Sequence, residues 1–202
     1  VLEIPKKGFI STHPSLLPYG RGPAPIINQI LGGVTKSGIT LLYTSEGTDA
    51  GDIIAQNEFK IEQTDYAWDI YLKCIKRGSE LINEQLPLIA RNLEQRLKQD
   101  ESLAITFESP KDANRIRHYN NLETTYRRIR ALSKPYKGAF IQDNNGDKLV
   151  VWKAELTNQK PDGTKYTPKI EIKDLRSPTD LFFNSGEEYL KVTEGEFKWK
   201  KY

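Results

Sequence analysis

The chain has 202 residues, 30 Lys and Arg against 27 Asp and Glu, a formal net charge of +3 and one cysteine. That length holds one large or two small domains, and a lone Cys74 excludes an intrachain disulfide and a cysteine-rich zinc site. Hydrophobic content of 37% and a mean hydropathy of −0.62 allow a modest core, with no apolar run of membrane-spanning length and no secretory signal pattern at Val1. A cytoplasmic location is the expectation.

Residues 9–12 read as a buried strand that delivers His13 to a proline-bounded turn, His13-Pro14-Ser15-Leu16-Leu17-Pro18. Residues 14–22 read as a loop. Pro25 suits the first turn of a short helix to Leu31, which Gly32-Gly33 ends. Two apolar strands, residues 39–43 and 53–55, flank the acidic turn Thr48-Asp49-Ala50-Gly51-Asp52. A long helix starts near Thr64 or Asp65, either of which can cap it. Ala67, Tyr71, Cys74, Ile75, Leu81 and Ile82 form its predicted buried stripe, so Cys74 reads as core. Pro87 is expected to kink or divide it, with a second helical stretch to about residue 98.

The composition shifts at Ser109-Pro110, which sets a domain boundary between residues 1–109 and 110–202. The first part carries 11 basic and 14 acidic residues, net −3, and the second 19 and 13, net +6. A basic second half suits a nucleic acid or another phosphorylated partner, and equally an ordinary lysine-rich surface. Asn121 is a candidate cap for a helix with Leu122, Tyr126 and Ile129 on one face. Arg127, Arg128 and Arg130 read as its solvated side, and Pro135 as its end. Residues 137–142 and 148–153 flank a hairpin loop, and residues 169–173, 188–192 and 197–200 read as further short strands. The set predicts a small open barrel, with Trp152 in its core.

Two polar groups stand out at predicted strand ends, His13 and Asp49, where α/β sheets collect ligands. A histidine facing a carboxylate is held in one tautomer and handles a proton near neutral pH. Alone, each is an ordinary loop or turn former. No His, Cys, Asp or Glu cluster has metal-site spacing, and Gly20-x-Gly22 does not match the dinucleotide pattern.

Four ordered pieces decide between these readings: His13-Pro14-Ser15-Leu16-Leu17-Pro18, Arg21-Gly22-Pro23-Ala24-Pro25-Ile26, Ser37-Gly38-Ile39-Thr40 and Asp49-Ala50-Gly51-Asp52-Ile53-Ile54-Ala55-Gln56. Together they resemble the folate-dependent formyltransferases, the superfamily of methionyl-tRNA formyltransferase and the amino-sugar N-formyltransferases. Residues 130–140 with Val151-Trp152-Lys153-Ala154 resemble the start of that family's C-terminal domain. The resemblance implies an α/β fold: the C-terminal half of a Rossmann-like catalytic domain, then a small OB-like, β-rich open barrel. It implies transfer of a formyl group from 10-formyltetrahydrofolate, without a metal, to a primary amine. It places His13 nearest the formyl carbon, Asp49 beside it to orient it or a water, and Ser15, Leu16, Leu17, Pro18, Arg21 and Gly22 along the substrate loop.

Two departures accompany the match. The family shows Asn-x-His, and here Ser11 stands two before His13, where an amide would donate to the developing oxyanion. The family also has a long segment before this strand, where the chain has only residues 1–7, so the expectation is either a fragment or truncated product or a missing half supplied elsewhere. A non-catalytic remnant or binding module on the same scaffold is the alternative. The acceptor leans to a nucleotide-linked amino sugar, on the residues Pro135-Tyr136-Lys137-Gly138-Ala139-Phe140, while Arg21-Gly22-Pro23-Ala24-Pro25 fits the methionyl-tRNA branch.

Overall fold

The computed structural model describes residues 5–117 and 121–200. The chain divides into two compact units. One comprises Val1–Asp65 and Asp69–Pro110, the other Tyr66–Trp68 and Lys111–Tyr202.

The first unit runs β1 (Ile10–His13), β2 (Tyr19–Arg21), α1 (Pro25–Leu31), β3 (Lys36–Tyr43), β4 (Ile53–Lys60), α2 (Ala67–Arg91) and β5 (Ile105–Thr106). The first two residues of α2 cluster with the other unit. β1, β3 and β4 form an antiparallel sheet in that order, with His13 opposite Thr40 and Thr40 opposite Gln56. β2 and β5 form a separate parallel pair. Central β3 is buried from Ser37 to Tyr43, as its apolar run requires. β1 is not the buried strand expected: Ser11 and Thr12 are exposed, because β1 is an edge of this sheet and only His13 turns fully inward.

α1 starts on Pro25 and ends where the Gly32 N–H bonds to the Asn28 carbonyl, as the sequence implies. The buried positions of α2 are Ala67, Ile70, Cys74, Gly78, Leu81 and Ile89, while Tyr71 and Ile75 are exposed. Of the predicted stripe, Ala67, Cys74 and Leu81 are buried and Ile82 half-buried; Ile70 and Gly78 complete the 3.6-residue arc, and Tyr71 and Ile75 lie about 100° away from it. A Cβ at Gly78 would stand 3.1 Å from Ile39 Cδ1, so the glycine lets this helix seat on β3. Pro87 does not divide α2. The helix continues to Arg91 and stops at Asn92, whose φ of 56° is left-handed, so there is no second stretch to residue 98.

The second unit runs α3 (Leu122–Leu132), β6 (Ala139–Gln142), β7 (Lys148–Thr157), β8 (Thr164–Lys165), β9 (Leu181–Ser185) and β10 (Glu188–Lys198). Its five-stranded sheet has the order β6-β7-β10-β9-β8, antiparallel except for β8 with β9. Asn121 caps α3 by accepting the Thr124 N–H at 2.9 Å. Ile129, Leu149, Val151, Phe183 and Leu190 are fully buried. Residues 188–192 and 197–200 belong largely to one strand, β10, shifted in register near Glu194. Residues 169–173 are not a strand: Ile172 opens a 3₁₀ turn and its N–H bonds to Asp143 Oδ2 at 3.0 Å, a partner 29 residues away. Arg130 is not solvated. It is buried, with its guanidinium 5.0 Å from the Tyr126 ring centre. Trp152 is half-buried, with Lys134 Nζ over its ring.

Candidate active site

His13 closes β1 and is 6% exposed. Its Nε2 lies 2.7 Å from the Gly20 carbonyl. A carbonyl only accepts, so Nε2 carries the hydrogen and Nδ1 is left to face Asp49 Oδ2, at 3.4 Å. One side of the ring is pinned, and a proton on the other would sit between imidazole and carboxylate.

Asp49 lies in the β3–β4 turn with a left-handed φ of 51°, a conformation that Asp tolerates better than most residues. Its Oδ2 also accepts the Gly22 N–H at 2.9 Å. Gly22 has φ +88°, and a Cβ there would come within 2.8 Å of the Phe107 carbonyl, so only glycine presents its N–H this way. Asp49 Oδ1 is not used by these contacts, and the side chain is 26% exposed.

The 14–18 loop is anchored from below. Thr40 Oγ1 donates to the Ser15 carbonyl (2.7 Å) and accepts from Leu17 N–H (3.2 Å) and Gln56 Nε2 (2.8 Å). Gln56 Nε2 also reaches the Leu17 carbonyl, and Gln29 Nε2 the Pro14 carbonyl, both at 2.8 Å. Gln29 Oε1 in turn accepts from Ser37. Ser15 and Leu17 are fully covered, while Leu16 and Pro18 are half-buried. Leu16 lies over Gly38, where a Cβ would stand 2.5 Å from Leu16 Cδ2. Ser11 shares the His13 face of β1, two residues away, and is exposed.

Arg21 is buried and turned to protein. It forks onto Glu101 (2.8 and 2.9 Å) and donates through Nε and Nη2 to Gln99 Oε1 (2.9 and 2.8 Å). The Glu101 hydrogen bond raises its pKa above the ordinary guanidinium value and lowers that of Glu101. Gln99 Nε2 donates to the Asp49 and Gly51 carbonyls at 2.7 and 2.8 Å. Sequence reasoning missed Thr40, Gln56, Gln99 and Glu101 as site residues. Thr40 and Gln56 each close one of the four motif pieces, and Thr40 is also a polar residue inside the apolar run Ile39-Thr40-Leu41-Leu42; Gln99 had no such signal.

Among the described residues no three His, Cys, Asp or Glu stand together to hold a metal ion, and no helix is long and apolar enough to cross a membrane. Cys74 is buried, and desolvation pushes its thiol up to about 12, far from a nucleophile's range.

The family model for formyl transferase matches residues 1–86, and the model for the formyl transferase C-terminal domain matches residues 109–202. The methionyl-tRNA formyltransferase of Bacillus cytotoxicus is 31% identical over 202 residues, all of this chain and 62% of the relative. That of Lysinibacillus sphaericus is 35% identical over 176 residues, 86% of this chain and 55% of the relative. The chain thus spans little more than half the length of these curated relatives. The crystal structure of the Helicobacter canadensis N-formyltransferase, with folinic acid and dTDP-3-aminofucose, superposes with a TM-score of 0.64 at 27% identity, over 77% of this chain and 58% of that one. With two domain models of one family matched in order along it, this chain belongs to the formyl transferases.

Proposed function

We propose that this chain carries the His13–Asp49 part of a formyl-transfer site that moves the formyl group of 10-formyltetrahydrofolate to a primary amine. The 3.4 Å approach of His13 Nδ1 to Asp49 Oδ2, brought together from the end of β1 and the β3–β4 turn, carries this reading. The acceptor nitrogen bonds to the formyl carbon, the carbonyl oxygen becomes negative, and the bond to the folate nitrogen breaks. One proton leaves the acceptor nitrogen and one is taken up by the folate nitrogen. Asp49, through the Oδ1 that these contacts leave unused, is the base that receives the first. With Nε2–H held on Gly20, His13 has a donor for the developing oxyanion only as the imidazolium, whose Nδ1–H lies beside Asp49 Oδ2. Ser11, on the same strand face, is positioned to add a second, shorter-reaching donor.

Residues 1–109 are read as the C-terminal half of a Rossmann-like catalytic domain and 110–202 as an OB-like domain. The open five-stranded sheet with a shifted long strand supports the latter. Methionyl-tRNA is the acceptor we put first. A groove of about 440 Å³ in the second unit is lined by Arg115, Arg117, Lys137, Lys148 and Lys198 against the single acid Asp112, which suits a polyanion. A nucleotide-linked amino sugar is the second acceptor, on the likeness to a structure holding dTDP-3-aminofucose.

The test is formyl transfer from 10-formyltetrahydrofolate to each acceptor by the wild type, His13→Ala and Ser11→Asn. Loss of activity in His13→Ala and a gain in Ser11→Asn are expected, since one oxyanion donor is worth about 10²–10³-fold. Silence of all three with both acceptors would leave the binding-module alternative.

A further inference from the structure

Residues 92–107 lie wholly between the two family-model matches, yet they bond to the loops and strand ends that form the candidate site. Glu94 and Arg96 hold the Tyr43 hydroxyl at the end of β3 (2.8 and 2.9 Å). Leu97 exchanges both backbone hydrogen bonds with Ile53 at the start of β4 (2.8 and 2.9 Å). Between these anchors and the Arg21 fork of Glu101, Gln99 spends its whole amide on the two catalytic loops: Nε2 on the Asp49 and Gly51 carbonyls, Oε1 on Arg21. A primary amide is the one neutral group that can donate to two carbonyls and accept from a guanidinium at once.

We propose that Gln99 is a positioning residue for the Asp49 carboxylate. By fixing the carbonyls on both sides of the left-handed Asp49–Gly51 turn, it sets the direction in which the Asp49 side chain meets His13; Arg21 and Glu101 in turn hold Gln99. Gln99 touches no reacting atom, and the proposal rests on the formyl-transfer reading only for its effect on turnover.

The test uses Gln99→Met, which keeps the side-chain length and removes the amide, with Gln99→Glu, whose carboxylate still accepts from Arg21 but cannot donate to carbonyls. The first readout needs no turnover: side-chain nitrogen NMR of His13, separated from His118 by a His118→Gln background. Asp49→Asn is expected to move the His13 Nδ1 resonance, Gln99→Met and Gln99→Glu to move it as well, and Gln99→Met to add nothing in the Asp49→Asn background. An unmoved Nδ1 resonance in folded Gln99→Met, with Asp49→Asn moving it, overturns the proposal. The second readout is kinetic. A roughly 10- to 100-fold lower kcat is expected with KM within about twofold, the size of loss that a small misplacement of a catalytic group produces. Equal loss in the Asp49→Asn background would make Gln99 merely structural. If the wild type does not transfer formyl groups, the functional reading fails and the NMR result still decides for or against Gln99.

Discussion

The Thr40 hydroxyl uses three hydrogen-bonding positions in a site with no water contact, donating to Ser15 and accepting from Leu17 and Gln56. Valine has the same shape and no hydroxyl, so Thr40→Val strands a buried carbonyl and a buried N–H together. Each such group costs about 1–3 kcal/mol. Chemical denaturation is expected to show a loss of roughly 2–4 kcal/mol on that scale, and a loss under about 0.5 kcal/mol, the size of an ordinary surface change, would mean that the loop does not hang on Thr40. Cys74 gives a second residue-scale test. With its thiol pushed up to about 12 by burial, it is expected to resist alkylation at pH 8 until the protein unfolds. Labelling at the rate of a free peptide thiol would contradict its place on the inner arc of α2.

At the scale of elements, the segment after α2 ties β2, β3, β4 and the Asp49 turn together. Its first anchor is titratable. The Tyr43 hydroxyl, then Arg96, hydrogen-bond Glu94 and hold its carboxyl down at about 2, against an ordinary 4.5. A carboxyl lowered in the folded state contributes stability fully above its unfolded pKa and loses it as pH falls toward the folded value. Thermal melts are therefore expected to show the wild type losing its advantage over Glu94→Gln as pH drops from 4.5 to about 2. Melting curves that stay parallel across that window would refute the anchor. The sequence could not show this segment. α1, β3, the start of β4 and the β6–β7 hairpin were legible because local signals define them: Pro25, the Ile39 to Tyr43 and Ile53 to Ala55 runs, and the loop Asp143-Asn144-Asn145-Gly146-Asp147. His13 and Asp49 were legible as ordered motif pieces. Gln99 reaches Arg21 across 78 residues, and the 3₁₀ turn at Ile172 is set by Asp143 across 29. No window of alternation or helical spacing contains such partners, which is why residues 169–173 read as a strand and residues 92–98 as a helix.

At the scale of the whole chain, charge separates the two acceptors more sharply than pocket shape does. Residues 110–202 carry the net positive charge, and five cations gather on one groove there. A nucleotide sugar presents two phosphates at most, whereas a tRNA presents a charged backbone along the entire groove, and each neutralised phosphate releases counterions. Binding of the tRNA should thus weaken steeply with salt, and the slope should report how many cations participate. Lys137 and Lys198 are exposed, and the Lys198–Glu196 ion pair is long, at 3.9 Å, so each can be removed without breaking the core. For Lys137→Ala and Lys198→Ala, the logarithm of KM for methionyl-tRNA against the logarithm of salt concentration is expected to flatten by about 0.7–0.9 per cation lost. KM for a dTDP-linked amino sugar should stay near wild type at every salt concentration. If the amino sugar is formylated and its KM alone responds to these lysines, while methionyl-tRNA is not a substrate, the groove belongs to the nucleotide sugar and the order of acceptors reverses.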